Sequence, residues 1–208
     1  MNFIYVKDNA LSSKDCERAI KFFELNSKDH SAGRTSGGVN KEYKNSMDWC
    51  KWFPDKDALD IMFMDCMKIM CEEYKERHSA LQHLPDSWHI TPAYNMQKYE
   101  PGGGFYNWHC EHGDWTSFPD SNNIRRNLAW MIYLNDVPDG GTDFLEQDYT
   151  CEAKAGRAVL WPAYWTHTHK SQISNTLPKY IATGWFMFDI PEYNTMRATM
   201  HRKLKDEE

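Results

Sequence analysis

The chain has 208 residues, 41% of them hydrophobic and 26% charged, which is enough apolar sequence for one folded domain and argues against disorder. The formal net charge of −6, with no long run of lysine and arginine, leaves no electrostatic footprint for nucleic acid. No stretch reaches the roughly 18 apolar residues of a membrane helix, and six cysteines without a C-x-x-C pair favour a cytoplasmic protein with reduced thiols.

The first 87 residues are predicted to form a mostly helical N-terminal part. A helix should begin after Ser12, because a serine followed three residues later by an acid, Asp15, is a weak form of the capping box. Apolar residues then repeat every 3.6 residues or so from about residue 56 to about residue 78, which predicts a second helix with one buried face. Between the two helices, residues 26–45 are polar and rich in glycine, so we expect a long loop there.

Strand signals dominate from residue 88 to residue 190. Residues 89–99 alternate between apolar and polar, and 128–134 form an almost unbroken apolar run that is typical of a strand covered on both faces. A proline and two glycines predict a turn at 136–141. Two helices followed by many short strands predict an α+β, mainly β fold, in which a sandwich or barrel carries the helices against one sheet and 191–208 is a tail.

Histidine and acidic residues occur at the spacing of metal ligands in two neighbouring places. His109 is followed two positions later by Glu111, and His112 by Asp114. With nine histidines and an acid at about one position in seven, about one such pair arises by chance, so a polar surface loop explains an isolated pair at least as well. On a strand, however, residues i and i+2 point to the same face, where an imidazole and a carboxylate can reach one ion.

A third pair, His167 and His169, has the same spacing and opens a later strand segment. Two histidines and one carboxylate on one face of a metal leave three positions open, which is the arrangement of non-haem iron(II) oxygenases. A structural zinc site is the alternative. Such sites usually include cysteine, however, and a set of histidine and carboxylate ligands is more typical of a metal that keeps an open position.

Five segments share their order and spacing with one known family. They are 99–102 (YEPG), 108–111 (WHCE), 133–142 (YLNDVPDGGT), 156–162 (GRAVLWP) and 179–185 (KYIATGW). Together they resemble the 2-oxoglutarate- and iron(II)-dependent dioxygenases of the prolyl 4-hydroxylase-like branch, over roughly residues 94–188 or nearly half of the chain. The resemblance implies a double-stranded β-helix core, a cupin-like jelly-roll, in a single dioxygenase domain that spans residues 1–208.

The resemblance also implies a set of iron ligands. His109 and Glu111 would be the first two, although the family usually has aspartate at the second position. The third would be His169, because Lys179 lies ten positions later and the family places its co-substrate anchor at this distance. His167 is the alternative third ligand, and it would otherwise line the site.

The co-substrate would be bound by Lys179, Tyr99 and Tyr133, according to the same resemblance. A buried dianion needs a fixed cation and neutral donors, which these side chains can supply. The rival ligand pair, His112 with Asp114, lacks a tyrosine ten positions upstream of its histidine, whereas Tyr99 stands at this distance from the preferred pair.

The implied activity is hydroxylation of an unidentified substrate with iron(II), 2-oxoglutarate and dioxygen, giving succinate and carbon dioxide. Peptidyl proline is the leading substrate, other protein side chains and small molecules are alternatives, and no nucleic-acid or membrane partner is expected. Residues 26–45 and 111–124 are candidates for a loop that closes over the substrate, and Trp185 is either a wall of the pocket or part of the packing. The unusual Glu111 leaves two other classes open, a cupin-like metal isomerase or hydrolase and a non-catalytic binding module on the same barrel.

Overall fold

Two antiparallel sheets form the body of the molecule, which the computed structural model describes at residues 2–35, 37–52, 57–113 and 123–189. The helices and strands in these residues are β1 (Tyr5–Lys7), α1 (Ser13–Leu25), β2 (Ser31–Ala32), β3 (Met47–Trp52), α2 (Ala58–Arg77), β4 (Trp88–Tyr99), β5 (Arg126–Tyr133), β6 (Val137–Phe144), β7 (Tyr149–Ala153), β8 (Ala158–Pro162), β9 (His169–Ser171) and β10 (Lys179–Phe188). The larger sheet has the strand order β1-β8-β5-β10-β4-β3-β2, and the smaller one β7-β6-β9.

Both helices begin at side chains that cap them. Ser12 accepts a hydrogen bond from the backbone N–H of Asp15 at 3.1 Å, which confirms the predicted start of α1. Asp57 caps α2 by accepting from the backbone N–H groups of Leu59 and Asp60, both at 2.9 Å. In the part of the chain that is described, neither helix combines the length and the hydropathy needed to cross a bilayer.

Strand β5 separates two hydrophobic cores. Trp130 and Ile132 face the helices and pack in a cluster that includes Phe63. Met131 and Tyr133 point the other way, into the cluster between the two sheets. This alternation follows from the two-residue period of a strand, and it confirms the prediction of a strand buried on both faces.

Three short strands make the N-terminal part less helical than predicted. β3 pairs with β4, with Met47 opposite Lys98 and Trp52 opposite Ala93, and β2 adds a further edge strand. The sequence of β3, MDWCKW, mixes charged and apolar residues, so its pairing with β4 rather than its local propensity makes it a strand.

The predicted turn at 136–141 is wrong, because most of this segment is the first half of β6. The register of β6 against β7 shifts after Val137, as in a β-bulge. The glycines permit a close approach there: a Cβ at Gly140 would lie 2.5 Å from Cγ1 of Val137, and one at Gly141 would lie 2.6 Å from the carbonyl oxygen of Cys151. The two glycines therefore belong to a bulged strand rather than to a connection.

Candidate metal centre

Three side chains bring possible metal-ligand atoms to one place. They belong to His109, Glu111 and His169, and their ligand atoms all lie within 4.8 Å of one another. The Nε2 atoms of His109 and His169 are 3.7 and 3.6 Å from the same carboxylate oxygen, Oε1 of Glu111. Nitrogen and oxygen ligands about 2.1 Å from one ion can be up to about 4.2 Å apart, so both of these distances are compatible with a shared ion.

Backbone pairing holds the two histidines beside each other. The N–H of His109 donates to the carbonyl of His169 at 3.0 Å, and the N–H of His169 donates back at 2.8 Å. His169 is the first residue of β9, whereas His109 makes only an isolated bridge. The prediction that His109 and Glu111 share a regular strand is therefore wrong, because the segment pairs for one residue and then bends so that the N–H of Glu111 donates to the carbonyl of Ala163.

The rings of both histidines are oriented by their second nitrogen. Nδ1 of His109 donates to the carbonyl of Asn107 at 3.0 Å, and Nδ1 of His169 donates to the carbonyl of His167 at 2.9 Å. A carbonyl oxygen can only accept, so Nδ1 carries a proton in both rings, and in the neutral form of each ring the lone pair of Nε2 faces Glu111. Burial, aided by the neighbouring His169, lowers the pKa of His109 and favours this neutral form.

The carboxylate of Glu111 is held by its outer oxygen. Oε2 accepts from a guanidinium nitrogen of Arg126 at 3.0 Å and from the indole N–H of Trp185 at 2.9 Å, which leaves Oε1 toward the histidines. The Arg126 guanidinium also lies 3.6 Å from the centroid of a Trp185 ring. Burial opposes ionisation of Glu111, but the charge of the neighbouring Arg126 favours it, and the pKa of Glu111 lies well below the usual value. The longer side chain of glutamate thus has a fixed geometry here.

A cavity of about 680 Å³ opens onto these three residues. Its wall includes aromatic and polar side chains, among them Tyr99, Phe105, Thr142, Trp161 and Trp185. Arg34, Thr35, Gly37 and Lys44 line it as well, so part of the segment 26–45 borders the cavity as a loop over the substrate would. The other candidate loop, 111–124, lies outside the described residues between 114 and 122.

Lys179 is a buried cation just behind the cavity wall. Its ammonium donates to the carbonyls of Gly140 at 2.8 Å and Gln172 at 3.3 Å, and it lies 5.3 Å from the ring centroid of Tyr99. Burial lowers the pKa of Lys179 to about 8, although the charges of two nearby aspartates partly oppose this effect. Within the described residues no carboxylate lies within 4.0 Å of its ammonium.

The two tyrosines are placed differently. Tyr99 lines the cavity and donates its phenol proton to Oε1 of Gln97 at 2.7 Å. Tyr133 is fully buried and does not line the cavity; its hydroxyl lies 2.7 Å from Oγ1 of Thr142, which does. Tyr133 is therefore not placed to touch a molecule bound in the cavity. Thr142 is placed to do so, but it was not predicted from the sequence.

The remaining histidines of the two motifs have other partners. His167 donates from Nε2 to the carbonyl of Asn2 at 2.8 Å and is absent from the cavity wall, contrary to the expectation that it would line the site. His112 lines the cavity, but its Nε2 donates to the carbonyl of Ile124 at 2.9 Å. Asp114, its predicted partner, lies outside the described residues.

The segment that contains the cluster matches a family model. Residues 94–187 match the model described as the 2OG-Fe(II) oxygenase superfamily. This match covers a little under half of the chain. This match, together with the three converging side chains, supports the chain as a 2-oxoglutarate-dependent dioxygenase, with iron(II) as the metal and 2-oxoglutarate and dioxygen as co-substrates. No curated protein sequence matches it.

Solved structures resemble this oxygenase over most of its length. The viral collagen prolyl hydroxylase of Paramecium bursaria Chlorella virus-1, in complex with 2OG, has a TM-score of 0.63 at 17% identity and covers 90% of this chain and 97% of its own. A Pseudomonas putida prolyl-4-hydroxylase has a TM-score of 0.69 at 15% identity, covering 90% and 94%. A Trichoplax adhaerens prolyl hydroxylase in complex with a hypoxia inducible factor peptide has a TM-score of 0.66 at 12% identity, covering 94% and 87%. These similarities confirm the predicted double-stranded β-helix.

Proposed function

We propose that His109, Glu111 and His169 hold the iron(II) of this oxygenase. The observation that carries the proposal is that three ligand atoms converge while the outer atom of each side chain is already bonded: Nδ1 of each histidine to a carbonyl, and Oε2 of Glu111 to Arg126 and Trp185. Such outer partners fix ligand orientation in metal sites. Bound iron(II) and 2-oxoglutarate together supply the oxidation, in which dioxygen is consumed, 2-oxoglutarate becomes succinate and carbon dioxide, and the substrate is hydroxylated.

Lys179 is the cation best suited to bind the distal carboxylate of 2-oxoglutarate. Lys44 is also buried beside the cavity, but its ammonium lies 2.5 Å from a carboxylate oxygen of Asp48 and is already neutralised. In the part of the chain that the structure describes, Lys179 has only carbonyl oxygens as hydrogen-bond partners, so a carboxylate is the group that its charge lacks. Tyr99 lines the cavity beside Lys179, and Tyr133 supports the co-substrate through Thr142, with which it shares a hydrogen bond.

Apolar rings around the histidines restrict water. The ring of Phe105 stacks on His109 with 3.6 Å between centroids, and Trp161 packs edge-on against His169 at 5.1 Å. Such a wall keeps the ligand atoms in a low-dielectric environment and limits side reactions with solvent.

Peptidyl proline is the substrate class that we propose for the oxygenase. The similar solved structures belong to prolyl hydroxylases, one of them in complex with a peptide. A cytoplasmic location belongs to the same proposal, since all six cysteines lie in described residues and none forms a disulfide. The rival classes, a cupin-like isomerase or hydrolase and a non-catalytic module, would not need an unpaired buried Lys179.

The first test is the visible absorption spectrum of the metal-free protein under anaerobic conditions, as iron(II) and then 2-oxoglutarate are added. We expect a charge-transfer band that requires both additions, because the co-substrate must chelate the iron. A Glu111→Ala variant, which lacks the proposed carboxylate ligand, is the matched comparison and should give a weaker band. Absence of any band in folded, metal-containing wild-type protein would favour a rival class.

Loss of the outer partners of Glu111 should weaken metal binding. We expect Arg126→Leu to reduce iron(II) affinity about 10- to 100-fold, because Oε2 loses a charged donor and the carboxylate is free to rotate. Trp185→Phe, which removes one N–H, should have a smaller effect in the same direction. The measurement is anaerobic calorimetric titration with iron(II), with circular dichroism as a check on folding.

The matched control for Trp185→Phe is Trp130→Phe. The indole N–H of Trp130 is also buried, but it has no hydrogen-bond partner among the described residues and does not line the cavity. Its loss should leave the iron(II) affinity unchanged. Equal affinities for wild type, Arg126→Leu and Trp185→Phe would show that Glu111 does not depend on these partners.

A further inference from the structure

Among the described residues, four cations line the cavity around the metal centre: Arg34, Lys44, Arg126 and Lys170. Two of them are neutralised by carboxylates. Lys44 lies 2.5 Å from Oδ2 of Asp48, and Arg126 lies 3.0 Å from Oε2 of Glu111. These two charges are therefore parts of internal ion pairs and offer little attraction to a substrate.

Lys170 has no such partner among the described residues, although an acid lies directly across the strand pair. Its Cα partner is Asp143, whose Oδ1 accepts instead from Thr150 at 2.7 Å and Gln172 at 3.0 Å. The Lys170 ammonium lies 4.5 Å from the ring centroid of Trp108, a side chain that is 41% exposed. The rim thus presents a positive charge beside an apolar ring.

Arg34 is the second cation without a carboxylate within 4.0 Å in the described ranges. It is exposed, but the chain next to it is fixed. Thr35 and Gly38 exchange two backbone hydrogen bonds, of 2.9 and 3.0 Å, and both Thr35 and Gly37 line the same cavity. The backbone beside Arg34 is therefore held at the rim of the cavity.

The excess of positive charge is confined to the rim of the cavity, and it remains when iron(II) and 2-oxoglutarate are bound. Iron(II) and the 2-oxoglutarate dianion carry equal and opposite charges, so together they leave Arg34 and Lys170 uncompensated. The protein as a whole has a formal net charge of −6, which disfavours a long polyanion such as nucleic acid. A short segment with a few carboxylates near the oxidised residue meets both conditions.

We infer that the substrate is an acidic peptide segment, whose carboxylate side chains flank the oxidised residue and are bound by Arg34 and Lys170. The exposed ring of Trp108 gives the same segment an apolar contact. This inference rests on the proposed function, because it specifies which peptides the hydroxylase accepts.

The test compares two fluorescently labelled peptides that each contain one central proline. In one the proline is flanked by glutamates, in the other by glutamines, and both are titrated anaerobically with protein loaded with iron(II) and 2-oxoglutarate. Anisotropy should report about three- to tenfold tighter binding of the glutamate peptide, as two partly exposed charge pairs provide. The preference should shrink as salt is added.

Charge-reversal variants assign this preference to the rim. The double variant Arg34→Glu/Lys170→Glu should lose the preference or invert it. Lys14→Glu/Lys21→Glu changes the net charge equally, but both lysines are exposed on α1 and neither lines the cavity, so this control should keep it.

Several outcomes would overturn the inference: equal binding of the two peptides by wild type, an unchanged preference in the rim variant, or tighter binding of a single-stranded oligonucleotide than of the glutamate peptide. Mass spectrometry of the peptides under air separates this from the proposed function. If the glutamate peptide binds as expected but its proline gains no oxygen, the acidic-peptide inference stands and proline is the wrong residue. If the glutamine peptide is hydroxylated equally well, the proposed function stands and the inference fails.

Discussion

Lys179→Ala is expected to raise the 2-oxoglutarate concentration for half-maximal turnover about 30-fold or more, while changing iron(II) affinity little. Removing one partner of a buried charge pair costs about 2–5 kcal/mol, which corresponds to at least about 30-fold in affinity. Lys179 is 3% exposed and lies away from the iron ligands, so metal binding should be spared. The measurements are succinate formation against 2-oxoglutarate concentration and anaerobic iron(II) titration.

Lys179→Met separates loss of charge from loss of volume, because methionine fills most of the space of the lysine stem. Both variants should behave alike if the charge matters. The pKa of Lys179, lowered by burial to about 8, adds a pH test. Only the protonated amine binds a dianion well, so the 2-oxoglutarate affinity of wild type should be full below this pKa and fall as the pH rises through it. A methionine variant with wild-type affinity, or an equally steep pH dependence in that variant, would remove Lys179 from this role.

His169→Ala is expected to weaken iron(II) binding by more than the roughly 10- to 100-fold that loss of an outer partner costs, because a direct ligand is removed. His109→Ala should do the same. Both side chains border the cavity, so each variant should remain folded. Anaerobic iron(II) titration, with circular dichroism in parallel, measures both effects.

His167→Ala is the matched control, two residues away and also buried. Its ring bonds to the carbonyl of Asn2, so the variant should lose about 1 kcal/mol of stability and keep its iron(II) affinity. The reverse pattern, with iron lost in His167→Ala and kept in His169→Ala, would show that the wrong histidine of the pair has been assigned.

Much of the candidate site could be predicted from the sequence, because residues a few positions apart in the chain stay close together in the folded protein. His109 and Glu111 are two positions apart, and the ten-residue distance from His169 to Lys179 distinguished between two histidines. The structure brings His109, Glu111 and His169 together, although their roles as iron ligands stay predictions. Nothing in the sequence linked Arg126 to Glu111, because the fifteen residues between them give no sign that the chain returns to the same point.

Helices and strands were predicted correctly where buried apolar residues form a regular pattern in the sequence. The run that became β5 is apolar at nearly every position, since both of its faces are covered. β3 and the start of β6 were missed because pairing, not composition, makes them strands. In β6, a proline and two glycines have the composition of a turn. They belong instead to a bulged strand, in which the glycines allow neighbouring atoms to approach closely.

The pair of backbone hydrogen bonds between His109 and His169 makes the two segments a single cooperative unit. One local opening event would break both bonds and separate the histidines, without disturbing the large sheet in which β5 and β10 pair. Metal that binds only the closed form adds its binding free energy to the stability of this unit. Occupancy of the centre and slow amide hydrogen exchange at these two positions are therefore thermodynamically linked, so that the centre can come apart and re-form in a protein that stays folded.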